Sequence, residues 1–150
     1  MKILFRQIPV LATILISTVA NSPLGGECFE IYQDNKLVLQ RCGKDVNTVQ
    51  TISLNTASSS SELTVKYFHC GQIGKNRVLT LKSSDGKTLK EWKFANGTTN
   101  AAGMKCGVKE IFSVKVANQS NLKLYYTSSE LPDGKLLAII NTSGNGKTSP

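Results

Sequence analysis

The chain has 150 residues, four cysteines and a formal net charge of +8 at neutral pH. This length predicts one domain with a sizeable core. The basic balance favours anionic partners.

Residues 1–20 have the order of a secretory signal peptide. Lys2 and Arg6 make a positive start, a short apolar run follows, and Thr18–Ala20 offers the small residues that a signal peptidase accepts. The apolar run is shorter than the roughly 20 residues that span a bilayer. We therefore expect cleavage before Asn21, a mature net charge of +6, and a secreted or periplasmic protein with no transmembrane segment after signal removal.

The remaining chain, 21–150, shows a hydrophobic period of two, which is typical of antiparallel strands joined by tight turns. It predicts a single all-β domain, an antiparallel β-sandwich of about nine short strands with two disulfides. Residues 143–150 have no apolar content and are expected to form a flexible tail. The predicted strands lie near 28–33, 37–42, 49–54, 63–70, 77–83, 88–94, 108–117, 122–128 and 135–141.

The first two predicted strands form a hairpin whose register places two cysteines face to face. A three-residue loop over Asp34-Asn35-Lys36 puts Cys28 directly opposite Cys42. Opposed residues lie about 4.5–5.5 Å apart at Cα, which a disulfide accepts. The sequence therefore predicts the disulfides Cys28–Cys42 and Cys70–Cys106. The same register puts four apolar side chains on one face: Phe29, Ile31, Leu37 and Leu39.

A second hairpin is predicted around Asp85-Gly86, a pair that favours a two-residue type I′ turn. Closing the loop there places Leu79 opposite Trp92 and separates an apolar face from a polar face. The apolar face would hold Leu79, Leu81, Trp92 and Phe94, with Trp92 in the core. The polar face would hold Thr80, Lys82, Glu91 and Lys93.

Two further turns complete the predicted strand order. Residues 108–117 are expected to pair with the next strand through a five-residue loop, with Val114 opposite Leu124. Leu131-Pro132-Asp133-Gly134 reads as a turn, because Pro fixes φ early and Gly tolerates a positive φ. It leads into 135–141, where the continuous apolar run predicts an internal strand buried on both faces.

The sequence shows no catalytic set, metal site or cofactor motif. His69 is the only histidine, and we interpret it as a partly exposed structural residue near a strand end. No Gly-x-Ser-x-Gly elbow marks a nucleophile, and the carboxylates fall in turns and at strand edges. The cysteine spacing lacks a Cys-x-x-Cys pair.

Basic residues give the one functional hint. Lys82, Lys87 and Lys93, with Tyr125, are candidate contacts for an anion or another ligand. Lysines on a solvated strand face also protect a sheet edge from aggregation, which is the simpler interpretation. Stacking aromatics do not interleave with these lysines, which argues against nucleic acid.

We therefore expect an exported, non-catalytic module that binds a glycan, a surface component or a secreted or cell-surface protein. One alternative is a secreted enzyme inhibitor presenting the loop 95–105, and a less favoured one is a small secreted hydrolase. A flat face with two or three exposed aromatics would indicate glycan binding. A protruding, disulfide-braced loop would indicate an inhibitor, and a concave site with His69 beside an acid and a serine would indicate a hydrolase.

Overall fold

The computed structural model describes residues 26–54, 60–100, 102–114 and 120–142. The expected signal peptide, 1–20, and the expected tail, 143–150, lie outside these residues. The described residues form nine β-strands, one α-helix and one 3-10 helix, which confirms the all-β class. Within these ranges, no helix has the length and apolar character needed to cross a membrane.

The strands are organised in two sheets. In chain order they are β1 (Cys28–Gln33), β2 (Lys36–Cys42), β3 (Gln50–Ser53), β4 (Glu62–Phe68), β5 (Arg77–Lys82), β6 (Thr88–Phe94), β7 (Met104–Gly107), β8 (Asn121–Ser128) and β9 (Leu131–Asn141). The four-stranded sheet has the order β2-β1-β4-β7 and the five-stranded sheet β3-β9-β8-β5-β6. The 3-10 helix Gly43–Asn47 follows β2, and the helix α1 (Val108–Ser113) follows β7. β3 pairs parallel with β9, whereas we expected only antiparallel pairs.

Both sheets contribute to one buried cluster, because alternate residues of each strand point to the same side. On β4, Leu63 and Val65 are fully buried, and on β8 Leu124 and Tyr126 are fully buried. The ring of Tyr67 on β4 stacks on Tyr126 with 4.5 Å between centroids, which joins the two sheets.

The first hairpin has the predicted strand register but a different turn. Cys28 lies opposite Cys42, and the two are joined by a disulfide, as predicted. The turn contains two residues, Asp34 and Asn35, which both adopt positive φ. A register shift inserts Val38 as an extra residue. The side chains beyond it change faces, and Leu37 is therefore 45% exposed instead of buried.

The β5–β6 hairpin shows the opposite deviation. Leu79 lies opposite Trp92, as predicted, but the loop contains three residues, Ser84 to Gly86. Among these, only Gly86 has positive φ, so a type I′ turn is excluded. A register shift with Leu89 as the extra residue restores the predicted pairing in the strands. Trp92 is only partly buried, because β6 is the edge strand of its sheet.

The strand predicted at 108–117 is wrong over 108–113, whereas residues 115–119, which include part of this strand and of the loop predicted after it, lie outside the described residues. β7 occupies Met104–Gly107 and α1 follows directly, with Val108 and Ile111 buried. Residues three positions apart lie on one face of a helix, so a helix can bury Val108 and Ile111 as well as a strand could. Leu124 therefore lies opposite Leu81 and Ala138, not opposite Val114.

The predicted turn at Leu131–Gly134 is also wrong. Leu131 already pairs with Ser128, so the chain turns at Ser129 and Glu130. Gly134, at φ +72°, lies in a bulged part of β9. The predicted internal position of this strand is confirmed, since β9 lies between β3 and β8. Its burial is one-sided, since Ile139 stays partly exposed.

The predicted disulfide Cys70–Cys106 is absent, and both residues are free thiols. Cys106 pairs with Leu63 near the start of β4, whereas Cys70 follows the end of β4. Seven residues of extended chain separate these positions by roughly 23 Å. A disulfide accepts only about 4.4–6.8 Å between Cα atoms, so the sheet register forbids this bond.

Gly134→Ala is expected to destabilise the protein more than Gly86→Ala. Both glycines have positive φ, which costs an alanine about 1–2 kcal/mol. A Cβ at Gly134 would lie 2.7 Å from Thr127 Cγ2, whereas a Cβ at Gly86 would meet nothing within 4 Å. Overpacking should therefore add about 1–3 kcal/mol at Gly134 alone. Urea unfolding of both variants measures the difference, and equal losses would contradict the close approach.

Candidate ligand-binding site

Two of the four predicted contact residues meet on the outer face of the five-stranded sheet. The Lys82 Nζ lies 4.8 Å from the centroid of the Tyr125 ring, a cation–π distance. Lys123 is the register partner of Lys82, and its Nζ donates a hydrogen bond to Ser84 O at 2.9 Å. The geometry thus adds a lysine to this face that the sequence analysis did not select.

The other two predicted contact residues are not in this cluster. Lys93 is exposed on the edge strand β6, where its register partner is Val78. Lys87 lies in the β5–β6 turn, and its backbone N–H donates to Ser83 Oγ. The predicted set is therefore split into a central pair and two peripheral lysines.

A second candidate face lies on the outer side of the four-stranded sheet. Phe29 and Ile31 of β1 point into the core, so Tyr32 points outward. On β4, Tyr67 points inward and Phe68 outward. Both outward aromatic rings are partly exposed. One sheet face thus presents two aromatic side chains.

The carboxylate of Glu30 is fixed on this face by its neighbours. Tyr32 Oη donates to Glu30 Oε2 at 2.7 Å, and Gln40 Nε2 donates to Glu30 Oε1 at 3.0 Å. The Lys66 Nζ lies 4.9 Å from the Tyr32 ring centroid. The hydrogen bond to Glu30 raises the pKa of Tyr32, so this phenol remains a donor. The carboxylate is held in one orientation, with acceptor capacity left over.

A pocket of about 430 Å³ opens at the end of this face. Its described lining residues are Gly26, Cys28, Glu30, Phe68, Cys70, Gly71 and Asn100. It combines an apolar ring with a fixed carboxylate and an amide, which is the usual composition of a small-molecule site. The volume also lies within the range of such sites, about 300–1,000 Å³.

The sequence analysis missed Phe68, Tyr32 and Glu30 as site residues, although the signal was present. Strict alternation along 63–70 assigns Leu63, Val65 and Tyr67 to the core. The same alternation turns Phe68 outward among polar side chains. An aromatic residue at an outward position is the observation that would have identified this face.

His69 belongs to a buried polar group between the sheets, whereas we expected it to be partly exposed. It is 7% exposed. Its Nε2 lies 2.8 Å from Tyr126 Oη and 3.4 Å from Ser128 Oγ. Its ring lies 4.7 Å from the Tyr67 ring. Burial lowers the pKa of His69, although the charges of Glu130 and Glu27 oppose this.

Glu27 accepts a hydrogen bond from Tyr67 of this group and forms an ion pair with Lys135. Burial alone would raise its pKa, but hydrogen bonds from Lys135 and Tyr67 lower it overall. Burial and the bond to Glu27 raise the pKa of Tyr67. The Glu27 carboxylate is therefore ionised and the Tyr67 phenol is protonated. The negative charge of Glu27 is paired with Lys135, as a partly buried charge requires.

The arrangement around His69 bears on the hydrolase alternative. A serine and the histidine do approach each other, but Ser128 is 5% exposed and Tyr126 is fully buried. Tyr126 Oη also occupies the closest position to Nε2. The low exposure of His69 and of both its hydrogen-bond partners favours a structural role.

The loop 95–105, which the inhibitor alternative requires, is tied to the body of the protein. The buried Arg77 donates from Nε and Nη2 to Ala95 O, and from Nη1 to Ala102 O at 2.7 Å. Gly97 N–H donates to Gly74 O at 2.9 Å. The expected disulfide brace is absent, because Cys106 is a free, buried thiol in β7.

We expect the free energy of unfolding of His69→Gln to fall less at acidic pH than that of the wild-type protein. The pKa of His69 is lower in the folded chain than its ordinary value of 6.5, so the unfolded chain binds the proton more tightly. The contribution of His69 is therefore complete above about pH 6.5 and is lost as the pH falls below it. Urea unfolding between pH 7.5 and 5.5 should show a smaller loss for the variant. Parallel profiles of both proteins would contradict this.

Comparison with known proteins gives no indication of the function. No known family model matches the chain, and no curated protein shows significant sequence similarity to it. Among the described residues, no group of three or more His, Cys, Asp or Glu side chains is placed to hold a metal ion. The chemistry of the two outer sheet faces is therefore the basis for any functional conclusion.

Proposed function

We propose that the protein is an exported, non-catalytic β-sandwich module that binds a glycan on the outer face of its four-stranded sheet. The observation that carries this proposal is the pocket that Phe68, Glu30 and Asn100 line together. A sugar ring offers a C–H face that packs on an aromatic ring and hydroxyls that donate to a carboxylate. The pocket contains a partner for each of these groups.

The second aromatic ring supports an extended ligand. Tyr32 lies on β1 four residues from Cys28, and Cys28 is the register partner of Phe68. Four residues of strand cover about 13 Å. Because both rings project from hydrogen-bonded strands, their separation is fixed before a ligand arrives, which limits the entropy lost on binding. This spacing favours an oligosaccharide over a single sugar.

The sandwich arrangement is supported by the connections and the core. The 3-10 helix leads from β2 in one sheet to β3 in the other, and the 95–103 segment leads from β6 to β7. The sheets are thus linked along both sides, and Tyr67 stacks on Tyr126 between them. Two sheets packed in this way leave two outer faces open to a ligand.

The non-catalytic and exported parts of the proposal have separate support. Glycosidases need two carboxyl groups about 5–10 Å apart across the ligand. Glu30 is the only carboxylate among the described residues that line the pocket. Export is supported by the signal-like order of residues 1–20 and by the Cys28–Cys42 disulfide, because such bonds persist in oxidising compartments.

Phe68→Ala is expected to weaken glycan binding about 30-fold, since truncating an aromatic anchor costs about 2 kcal/mol. A glycan array screened with the mature protein identifies the ligand, and titration calorimetry then measures its affinity for each variant. Tyr125→Ala is the matched control, because Tyr125 is a partly exposed aromatic residue on the other sheet. It should change the affinity by about twofold at most. Equal losses, or no glycan bound on the array, would overturn the proposal.

An anionic ligand on the five-stranded sheet is the second candidate function. The specific observation is the pair of opposed lysines, Lys82 and Lys123, beside Tyr125. Two ammonium groups on adjacent strands suit a sulfate or carboxylate group of an acidic polymer. The net charge of +6 that remains after signal removal adds long-range attraction.

Lys82→Gln is expected to reduce the salt dependence of heparin binding. Each cation that contacts a polyanion contributes about one unit to the slope of log K against log salt. The variant should therefore lose about one unit of slope. Lys109→Gln, which removes an exposed lysine from α1, should leave the slope unchanged. Identical slopes for the two variants would exclude this face as the anion site.

A further inference from the structure

A free thiol and a disulfide share the pocket on the four-stranded sheet. Cys70 is exposed and free, and it lines the same pocket as Cys28, which is bonded to Cys42. The other free thiol, Cys106, is buried, and burial raises its pKa to about 12. Only Cys70 therefore combines access with a neighbouring disulfide.

The strand order determines which sulfur Cys70 can reach. β1 lies between β2 and β4, so Cys28 is the register partner of both Cys42 and Phe68. Cys70 follows Phe68 by two residues and lines the same pocket as Cys28, whereas Cys42 is not among the described lining residues. Cys42 lies one strand further away, about 5 Å more. Cys28 is thus the only sulfur of the disulfide within reach.

The segment that carries Cys70 can move toward Cys28 without disturbing the strands. A disulfide needs about 4.4–6.8 Å between Cα atoms. Cys70 lies outside β4 and adopts a left-handed φ of +49°. Its backbone belongs to a two-residue turn that the His69–Gln72 bridge closes beyond the end of β4, so a movement of this turn leaves the pairing of β4 intact.

We propose that Cys70 and the Cys28–Cys42 disulfide form an intramolecular thiol–disulfide exchange site. The Cys70 thiolate attacks Cys28 Sγ, the Cys28–Cys42 bond breaks, and a Cys28–Cys70 bond forms. Cys42 leaves as a thiolate and takes up the proton that Cys70 released. One thiol and one disulfide are present before and after, so no oxidant or reductant is consumed.

Exchange changes the width of the pocket and determines which cysteine carries the free thiol. The cross-link moves from the β1–β2 hairpin to the space between β1 and the end of β4. It draws the Cys70-Gly71 wall toward Cys28 and narrows the pocket that both residues line. The free thiol then lies on the exposed end of β2 at Cys42. This proposal does not depend on glycan binding, since it concerns the sulfur atoms alone.

Two matched variants test the proposed geometry. Cys42→Ser leaves Cys28 beside Cys70, whereas Cys28→Ser leaves Cys42 and Cys70 two strands apart. Each mature variant is incubated with oxidised glutathione, alkylated and mapped by mass spectrometry without reduction. We expect at least about tenfold more intramolecular Cys28–Cys70 in the first variant than Cys42–Cys70 in the second, because of the distance limit on disulfides. Equal yields, or glutathione adducts in place of both bonds, would overturn the proposal.

The wild-type chain provides the deciding measurement if the Cys42→Ser variant does not fold. The mature protein is incubated at pH 8, where thiolates are more abundant, and then alkylated with iodoacetamide. A Cys28–Cys70 peptide together with alkylated Cys42 supports exchange. Cys70→Ser should abolish both signals, whereas Cys106→Ser should leave them unchanged. Recovery of Cys28–Cys42 alone, with alkylated Cys70, would contradict the proposal.

Discussion

The alternation of side chains along β4 is the constraint on which the other features depend. Its inward residues include Tyr67, which stacks on Tyr126 and contacts His69 just beyond the strand end. Its outward residues include Phe68, which lines the candidate pocket with Cys70. A slip of one residue against β1 would exchange these sets, burying a lysine and exposing the aromatic stack. The contact between the sheets and the ligand site therefore follow from one register.

The strand register was predictable from the sequence where the apolar pattern was strong. In both hairpins the predicted cross-strand partners are confirmed up to the register shift near the turn, including Cys28 with Cys42 and Leu79 with Trp92. In both hairpins the predicted loop length is wrong by one residue, in opposite directions. A bulge near each turn absorbs the difference, because burial of a whole sheet face outweighs the preference of one turn. Core alternation thus determines the pairing, and the turn adapts to it.

Other features depend on contacts between distant segments, which local patterns do not contain. The 108–113 segment carries Val108 and Ile111 at a spacing that a helix or a bulged strand can bury. Cys70 and Cys106 form no disulfide because β7 pairs with the start of β4, which places Cys106 far from Cys70. The residues around the two cysteines in the sequence do not indicate this position. The lysine pair Lys82 and Lys123 likewise forms only because β8 lies beside β5. The outward aromatics Tyr32 and Phe68, in contrast, were readable from alternation alone.

The way in which Arg77 holds the segment after β6 has a consequence for how this protein can vary. The guanidinium donates to the carbonyl oxygens of Ala95 and Ala102, groups that every amino acid possesses. The hydrogen bonds of Arg77 therefore do not depend on the identity of the side chains between Ala95 and Ala102. Two residues of this segment have contacts of their own, because Asn96 accepts a hydrogen bond from the Asn76 N–H and Gly97 packs closely on Ile73. Asn100 lines the candidate pocket, whereas Thr98 and Thr99 are exposed and are not among its described lining residues. Thr98 and Thr99 form a stretch whose sequence can diversify, or be replaced by a grafted peptide, while the scaffold keeps its shape.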